Sequence, residues 1–385
     1  MPGTPAFPPI RPAGSPGTIV KDMALVVSSA TVLGALLCGA MLTATAPARA
    51  EGHTDGGAKV AGTPAERYLE REAVRRWIRE TSEERGLDRN HVSGLFARLT
   101  PRQDILEAIS TPAERTLTWA EYRPIFLGEE RILAGRAFLA EHAAALARAE
   151  ERFGVPAPVI VAIIGVETLY GRITGRHEVL ASLATLAFDY PPRAAFFGDE
   201  LAEFLVLSEE EGWNALEIRG SYAGAMGLAQ FISSSYRRYA IDFDGDGRRD
   251  LFGSPEDAIG SVGNYLAEHG WRAGERVAER WEPAGAEREA ARELVRTPLE
   301  PTIAPETLRR LGFDPRAADG ASSGGSATGE QDASTRRLSV MSFAASGGEE
   351  LWVGYTNFYA ITRYNHSRLY ALAVHQLAEA IGEAS

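Results

Sequence analysis

The 385-residue chain holds a single cysteine, Cys38. One thiol makes neither an internal disulfide nor a zinc–cysteine cluster, so a disulfide scaffold and a zinc–cysteine module are both excluded. Net positive charge is missing as well, with 40 Lys and Arg against 52 Asp and Glu, a formal charge of −12. Binding a phosphate backbone requires a basic stripe, so nucleic acid is excluded as a partner, and so is a polybasic grip on anionic lipid. The sequence shows no internal repeat. A 45% hydrophobic, 24% charged composition describes an ordinary globular protein, long enough for two or three packed units.

Residues 1–50 read as an export signal. From Met23 to Ala48 there is no charge, Arg11 and Lys21 precede the apolar run, and Ala48-Arg49-Ala50 offers a small-x-small cleavage site. The other readings are a retained membrane anchor, a lipidated Cys38, or a shorter signal opened by Met23. Any membrane attachment would run through this uncleaved or lipidated N-terminus. Cleavage at Ala50 leaves a mature protein without cysteine, working in the periplasm.

Residues 51–63 form a Gly- and Thr-rich linker. Pro64 opens a helix with Leu69, Val74, Trp77 and Ile78 on one stripe, ending near Gly86. A second helix spans Asn90–Leu99. A third runs Glu129–Phe153 with Ile132, Leu133, Phe138, Leu139, His142 and Leu146 facing inward, His142 as a core histidine. A near-continuous apolar helix covers Val159–Val166, and others fit Ala194–Leu207, Gln230–Tyr239 and Asp257–His269. Residues 316–335 are a flexible Gly/Ser insertion. Arg337–Phe343 and Leu351–Tyr359 read as short strands, and Ser367 caps a last helix over Leu369–Ile381. The chain is therefore mainly α, with a small β-rich element.

Three segments carry chemistry. Glu167 ends the run Val159-Ile160-Val161-Ala162-Ile163-Ile164-Gly165-Val166. A carboxylate pressed into so apolar a helix is costly unless paired or protonated, and burial in a low dielectric favours the neutral form that a general acid needs. The alternatives are an exposed helix end, or pairing with Arg172 or Arg176. Next, Gly220-Ser221-Tyr222-Ala223-Gly224-Ala225-Met226-Gly227-Leu228-Ala229-Gln230 allows close backbone approach, as in a cleft floor or in tight packing with nothing bound. No histidine motif accompanies Ser221, so a Ser/His/Asp triad is unsupported.

The third segment is Asp242-Phe243-Asp244-Gly245-Asp246-Gly247-Arg248-Arg249-Asp250. Asp242, Asp244 and Asp246 at positions one, three and five, glycine at six and the Arg248 carbonyl at seven match the start of an EF-hand loop. Position twelve is Gly253, so Asp257 must close the shell from a longer loop, with Asp250 acting through water. Flexible, numerous oxygens favour calcium over magnesium, and the competing reading is an acidic surface turn.

In this order the three segments, with Asp257–Tyr265 and Tyr359–Gln376, resemble the B-type lytic murein transglycosylases, relatives of goose-type lysozyme. The resemblance spans Pro64 to Ile381. It implies a helical domain (64–154), a lysozyme-like catalytic core with the calcium loop (155–275), and a small β-containing domain (276–360). A C-terminal helix (361–385) packs back on the rest. It places Glu167 on the catalytic acid/base, and Ser221, Gln230, Tyr122, Tyr265, Tyr364 and Asn365 on positions that bind or orient sugar. The implied substrate is the glycan strand of peptidoglycan, cut by a monomer that needs no organic cofactor and holds a structural Ca2+. The calcium loop is one residue longer than the family pattern before Asp257, and 316–335 is an insertion.

Ordinary glycosidases use two carboxylates. Here only Glu167 has a convincing setting, which suffices if the substrate supplies its own nucleophile. Glu167 would protonate the leaving oxygen, then deprotonate the muramic C6 hydroxyl as it closes on C1. The product is a 1,6-anhydromuramic end, with Ser221, Tyr364 or Asn365 candidates to hold the assisting N-acetyl group. The competing readings are a lysozyme-like muramidase that uses water, a non-catalytic wall-binding protein, and a calcium-stabilised helical domain with no sugar site.

Overall fold

The computed structural model describes residues 67–110, 117–295, 299–315 and 337–383. The expected export segment 1–50, the linker 51–63, the helix start at Pro64 and the insertion 316–335 lie outside the described residues. Among the described residues no helix is long and apolar enough to cross a membrane.

Six helices lead up to the site: α1 (Glu72–Arg85), α2 (Arg89–Phe96), α3 (Gln103–Ile109), α4 (Trp119–Phe126), α5 (Glu129–Glu141) and α6 (Ala143–Phe153). Gly86 ends α1 in the left-handed region at φ 72°, as its position predicts. A single 3-10 turn, Tyr68–Glu70, precedes α1, so the regular helix starts at Glu72. The helix expected over Glu129–Phe153 is two helices, because His142 leaves helical geometry (φ −107°, ψ 24°) and redirects the chain. Within α5 the buried side is that of Arg131, Gly135 and Phe138, so Leu133 is 54% exposed rather than buried. His142 packs its ring 4.3 Å from Phe138.

The centre of the molecule is α7 (Ala157–Thr168), introduced by Pro156. It is apolar all round and every residue from Val159 to Thr168 is buried, which a helix achieves only when surrounded. Helices α5, α6, α11 (Pro255–Glu268) and α15 (Arg368–Gly382) enclose it. A second layer pairs α8 (Val179–Asp189) with α9 (Ala194–Glu210), and α9 carries α10 (Ser233–Tyr239). The two-residue strands β1 (His177–Glu178) and β2 (Arg219–Gly220) pair antiparallel between these elements. Each helix expected from α7 to α11 is present within a few residues.

A separate three-stranded antiparallel sheet has the order β3 (Ala278–Trp281), β5 (Gly348–Gly354), β4 (Ser339–Ala345). It is flanked by α12 (Gly285–Leu294) and α13 (Pro305–Arg309). The strand expected over Leu351–Tyr359 stops at Gly354, and α14 (Thr356–Tyr364) follows at once. Ser367 caps α15 by accepting from the Tyr370 N–H, as expected.

One hydrophobic core runs from Tyr68 to Ile381, drawing on α1 to α11 and on α14 and α15 together. A small second cluster, including Trp281, Ile303, Leu338 and Val353, underlies the sheet. The mainly α class expected from the sequence is the class observed.

Candidate active site

Glu167 lies in the last turn of α7 and is 1% exposed. The reading that left it solvated does not hold: Glu167 Oε1 accepts a 2.6 Å hydrogen bond from the Tyr370 hydroxyl, while Arg172 reaches Glu130 at 3.6 Å. A charge-assisted O–H···O bond of that length offsets part of the cost of burying a carboxylate. Tyr370 sits in the first turn of α15, and sequence reasoning missed it because an aromatic on an amphipathic helix reads as core.

The end of α7 is locked in place. Leu169 and Tyr170 take left-handed conformations at φ 50° and 59°, uncommon for side chains of their size. The Tyr170 hydroxyl donates to the Arg131 carbonyl at 2.9 Å, and the buried Arg131 guanidinium donates back to the Gly165 carbonyl. A Cβ on Gly165 would lie 2.6 Å from the Tyr170 ring, so glycine is required for this approach. Thr168 Oγ1 lies 3.1 Å from the Leu228 carbonyl, joining the helix end to the glycine-rich loop.

In that loop Ser221 is fully buried, and its Oγ accepts from the N–H groups of Ala223 (3.3 Å) and Ala225 (3.0 Å). Gln230 has φ 49°; its Nε2 donates to the carbonyls of Gly227 (2.9 Å) and Thr174 (3.1 Å). Those bonds fix the side chain, while Oε1 has no protein partner among the described residues. Gly175 makes the same turn possible from the other side, since a Cβ there would lie 2.1 Å from the Gly220 carbonyl.

Three tyrosines complete the wall. Tyr265 and Tyr364 have ring centroids 4.7 Å apart, with Phe231 against both. Their hydroxyls donate to main-chain carbonyls, Tyr265 to Arg363 and Tyr364 to Ala229, each at 2.6 Å. Burial, and after it the Glu167 charge, raises the pKa of Tyr364 and Tyr370 well above the ordinary phenol value. These groups therefore stay neutral donors. Tyr122 is buried 4.9 Å from the Phe126 ring and close enough to Tyr370 to influence it electrostatically. Asn365, just after α14, is fully buried. A cleft of about 300 Å³ is lined by Gln230, Phe231, Tyr239, Tyr265 and Tyr364. Glu167 is not part of its wall, and the connection runs through Tyr265 and Tyr364, which line the cleft and sense the Glu167 charge.

The acidic loop contributes a second constellation. Asp242, Asp244 and Asp257 bring carboxylate oxygens within 4.8 Å of one another. Asp257, fully buried at the start of α11, accepts main-chain N–H bonds from Phe243 (2.7 Å), Asp244 (3.2 Å) and Asp250 (2.8 Å), and so ties both ends of the loop to the helix. Asp246 stands outside this group, its Oδ1 accepting from the Arg248 N–H at 2.8 Å. The donor set is hard oxygen, as a calcium ion requires.

Residues 70–379 match the family model described as the transglycosylase SLT domain. The chain belongs to the SLT transglycosylase family. Over 284 residues it is 39% identical to the membrane-bound lytic murein transglycosylase B of Escherichia coli K12, covering 74% of this chain and 73% of that protein. The soluble lytic transglycosylase SltB1 from Pseudomonas aeruginosa is 45% identical, with a TM-score of 0.71 over 80% of this chain and 98% of SltB1. E. coli SLT35, solved in complex with calcium, is 35% identical, with a TM-score of 0.68 over 80% of this chain and 91% of SLT35. SltB3 from P. aeruginosa, solved with NAG-anhNAM-pentapeptide, is 33% identical, with a TM-score of 0.66 over 80% of this chain and 79% of SltB3. As an SLT transglycosylase the chain is an enzyme, a lyase of the lytic transglycosylase class.

Proposed function

We propose that this chain cleaves the β-1,4 bond between N-acetylmuramic acid and N-acetylglucosamine in peptidoglycan, with Glu167 serving first as acid and then as base. The observation that carries the reading is the single buried carboxyl at the end of an apolar helix, held by the Tyr370 hydroxyl. Among the described residues the other buried carboxyls are committed elsewhere, Asp257 to the acidic loop and Glu200 to Ser234. With one working carboxyl, two-carboxylate hydrolysis lacks its second member, and the substrate's C6 hydroxyl is the economical nucleophile. Glu167 gives its proton to the leaving oxygen. It then takes one from that hydroxyl as the C6 oxygen bonds to C1, closing a 1,6-anhydro ring without consuming water.

In this reading Gln230 offers Oε1 to the sugar, Tyr265 and Tyr364 supply an apolar face for it, and Ser221 shapes the floor. Tyr122 stands behind Tyr370, which holds the acid, and Asn365 keeps the role of orienting the sugar. Asp242, Asp244 and Asp257 form the centre of a calcium site, with Asp246 and the Arg248 carbonyl drawn in when the ion binds. That ion would pin the loop between α10 and α11. The residues 64–154 and 155–275 act as one body around the cleft, with 276–360 as the smaller unit and residues from 361 completing the core. Export by residues 1–50 places the monomer in the periplasm, where the glycan strands are.

Purified sacculi test the mechanism. The native chain releases fragments with anhydro ends by mass spectrometry, and Glu167→Gln lowers the rate by at least about a hundredfold. Hydrated reducing ends would mark a muramidase; sacculi bound without release would mark a wall-binding protein. Wild-type activity in Glu167→Gln would remove the residue from the mechanism.

A further inference from the structure

Among the described residues Arg131 is the only buried arginine, at 6% exposure, and the reaction above gives it no part. Keeping a guanidinium out of water is costly unless its charge and its donors are met. No carboxylate forms an ion pair with it among the described residues, and Glu130, next to it in the chain, pairs with Arg172 at 3.6 Å. Its partners are of another kind. One edge of the guanidinium donates to the Gly165 carbonyl, two residues before the acid, where the negative end of α7 favours a cation. Its centre lies 5.3 Å from the centroid of the Phe126 ring.

Both contacts lead to Glu167. Through Gly165 the guanidinium ties α5 to the last turn of α7, and Tyr170 closes the tie by donating to the Arg131 carbonyl at 2.9 Å. A Cβ on Gly135 would lie 2.5 Å from the Tyr170 hydroxyl, so a glycine on α5, like the one on α7, makes room for that ring. Through Phe126 the guanidinium backs α4, whose Tyr122 ring stands 4.9 Å from Phe126 and bears electrostatically on Tyr370. Tyr370 is the donor to Glu167 Oε1. One side chain thus braces the helix that carries the acid and the packing behind the hydroxyl that holds it.

A shared brace matters because one carboxyl must serve two atoms in turn, the leaving oxygen and the C6 hydroxyl. A small misplacement of such a group is felt in turnover rather than in binding. We propose that Arg131 is a positioning residue for the reaction, aligning Glu167 through Gly165 on one side and through Phe126, Tyr122 and Tyr370 on the other. The proposal rests on the role given to Glu167 above.

Steady-state kinetics on soluble glycan fragments, with anhydro ends counted by mass spectrometry, tests it in the full chain. Arg131→Lys keeps the charge but loses the planar fork and face, and Phe126→Leu removes only the ring. Each lowers kcat about tenfold and moves KM by less than about twofold. The double variant Arg131→Lys/Tyr370→Phe loses less than the product of the two single losses, since both act on one carboxyl. Arg136→Gln is the comparator. Arg136 also lies on α5 and donates to the Ala380 carbonyl at 2.8 Å, at the end of α15 away from Tyr370. Its loss removes the same kind of bond far from the acid and leaves kcat unchanged. Melts accompany every variant, and assays run well below the lowest Tm. Should Arg131→Lys not fold, Phe126→Leu and its double variant with Tyr370→Phe decide in its place.

A native kcat in the folded variants overturns the proposal. So do losses that simply multiply in the double variant, or an equal loss in Arg136→Gln, which would mean general loosening. Failure of the native chain to form anhydro ends, or full activity in Glu167→Gln, overturns instead the reading of Glu167 on which the proposal rests.

Discussion

At the scale of single residues, the site depends on how Glu167 is held. Tyr370→Phe keeps the ring and removes one hydroxyl, leaving Oε1 without its 2.6 Å donor. Bonds to charged groups are worth about 1.5–3 kcal/mol, so kcat falls by about one order of magnitude or more while KM changes little. Steady-state kinetics on soluble glycan fragments checks this; an unchanged kcat would reduce Tyr370 to a packing residue. Glu167 was legible in the sequence because a carboxylate ending an eight-residue apolar run is anomalous on its face. Its partner was not, since Tyr370 obeys the helical pattern and nothing local marks its hydroxyl as used. Arg131 was missed for the opposite reason. A lone arginine in the first turn of α5 reads as solvated, yet it is buried against the Gly165 carbonyl.

Among the elements, α15 carries a second titratable group with a measurable consequence. Burial pushes the His375 imidazole down to about 4, with a hydrogen bond to the Ala278 main chain opposing it. The native state thus refuses a proton that the unfolded chain accepts from pH 6.5 downward. The stability tied to neutral His375 is complete above pH 6.5 and is lost between pH 6.5 and 4, by roughly 1.4 kcal/mol per pH unit. Melts across that range should show a steeper acid decline for the native chain than for His375→Gln; parallel curves would dismiss the effect. Helix existence was legible wherever the apolar stripe was strong. The break at His142 was not, because no glycine or proline marks it and the surrounding alanines suit a continuous helix. The strand read through Tyr359 overran for a similar reason, as aromatic residues serve a strand and the buried side of α14 equally well.

For the molecule as a whole, the acidic loop couples to stability through mass action. At a hundredfold excess over Kd a bound ion adds about 2.7 kcal/mol. Calorimetry should therefore show a lower Tm with chelator than with calcium, and Asp257→Ala should abolish the difference. A Tm indifferent to chelator would remove the ion from the structure. The loop was legible because Asp and Gly alternate at fixed positions. The grouping of Asp242 and Asp244 with Asp257, apart from Asp246, was not, since it depends on where α11 starts in space. The single core behind the cleft was equally hidden, because chain order separates residues that packing joins. The bond between Tyr370 and Glu167 spans 203 positions of sequence. A chain halted before Arg368 already holds the acid, the glycine-rich floor, the acidic loop and the Tyr364 wall, and lacks the hydroxyl that holds the acid in place. The site is thus finished only when α15 joins elements already in place.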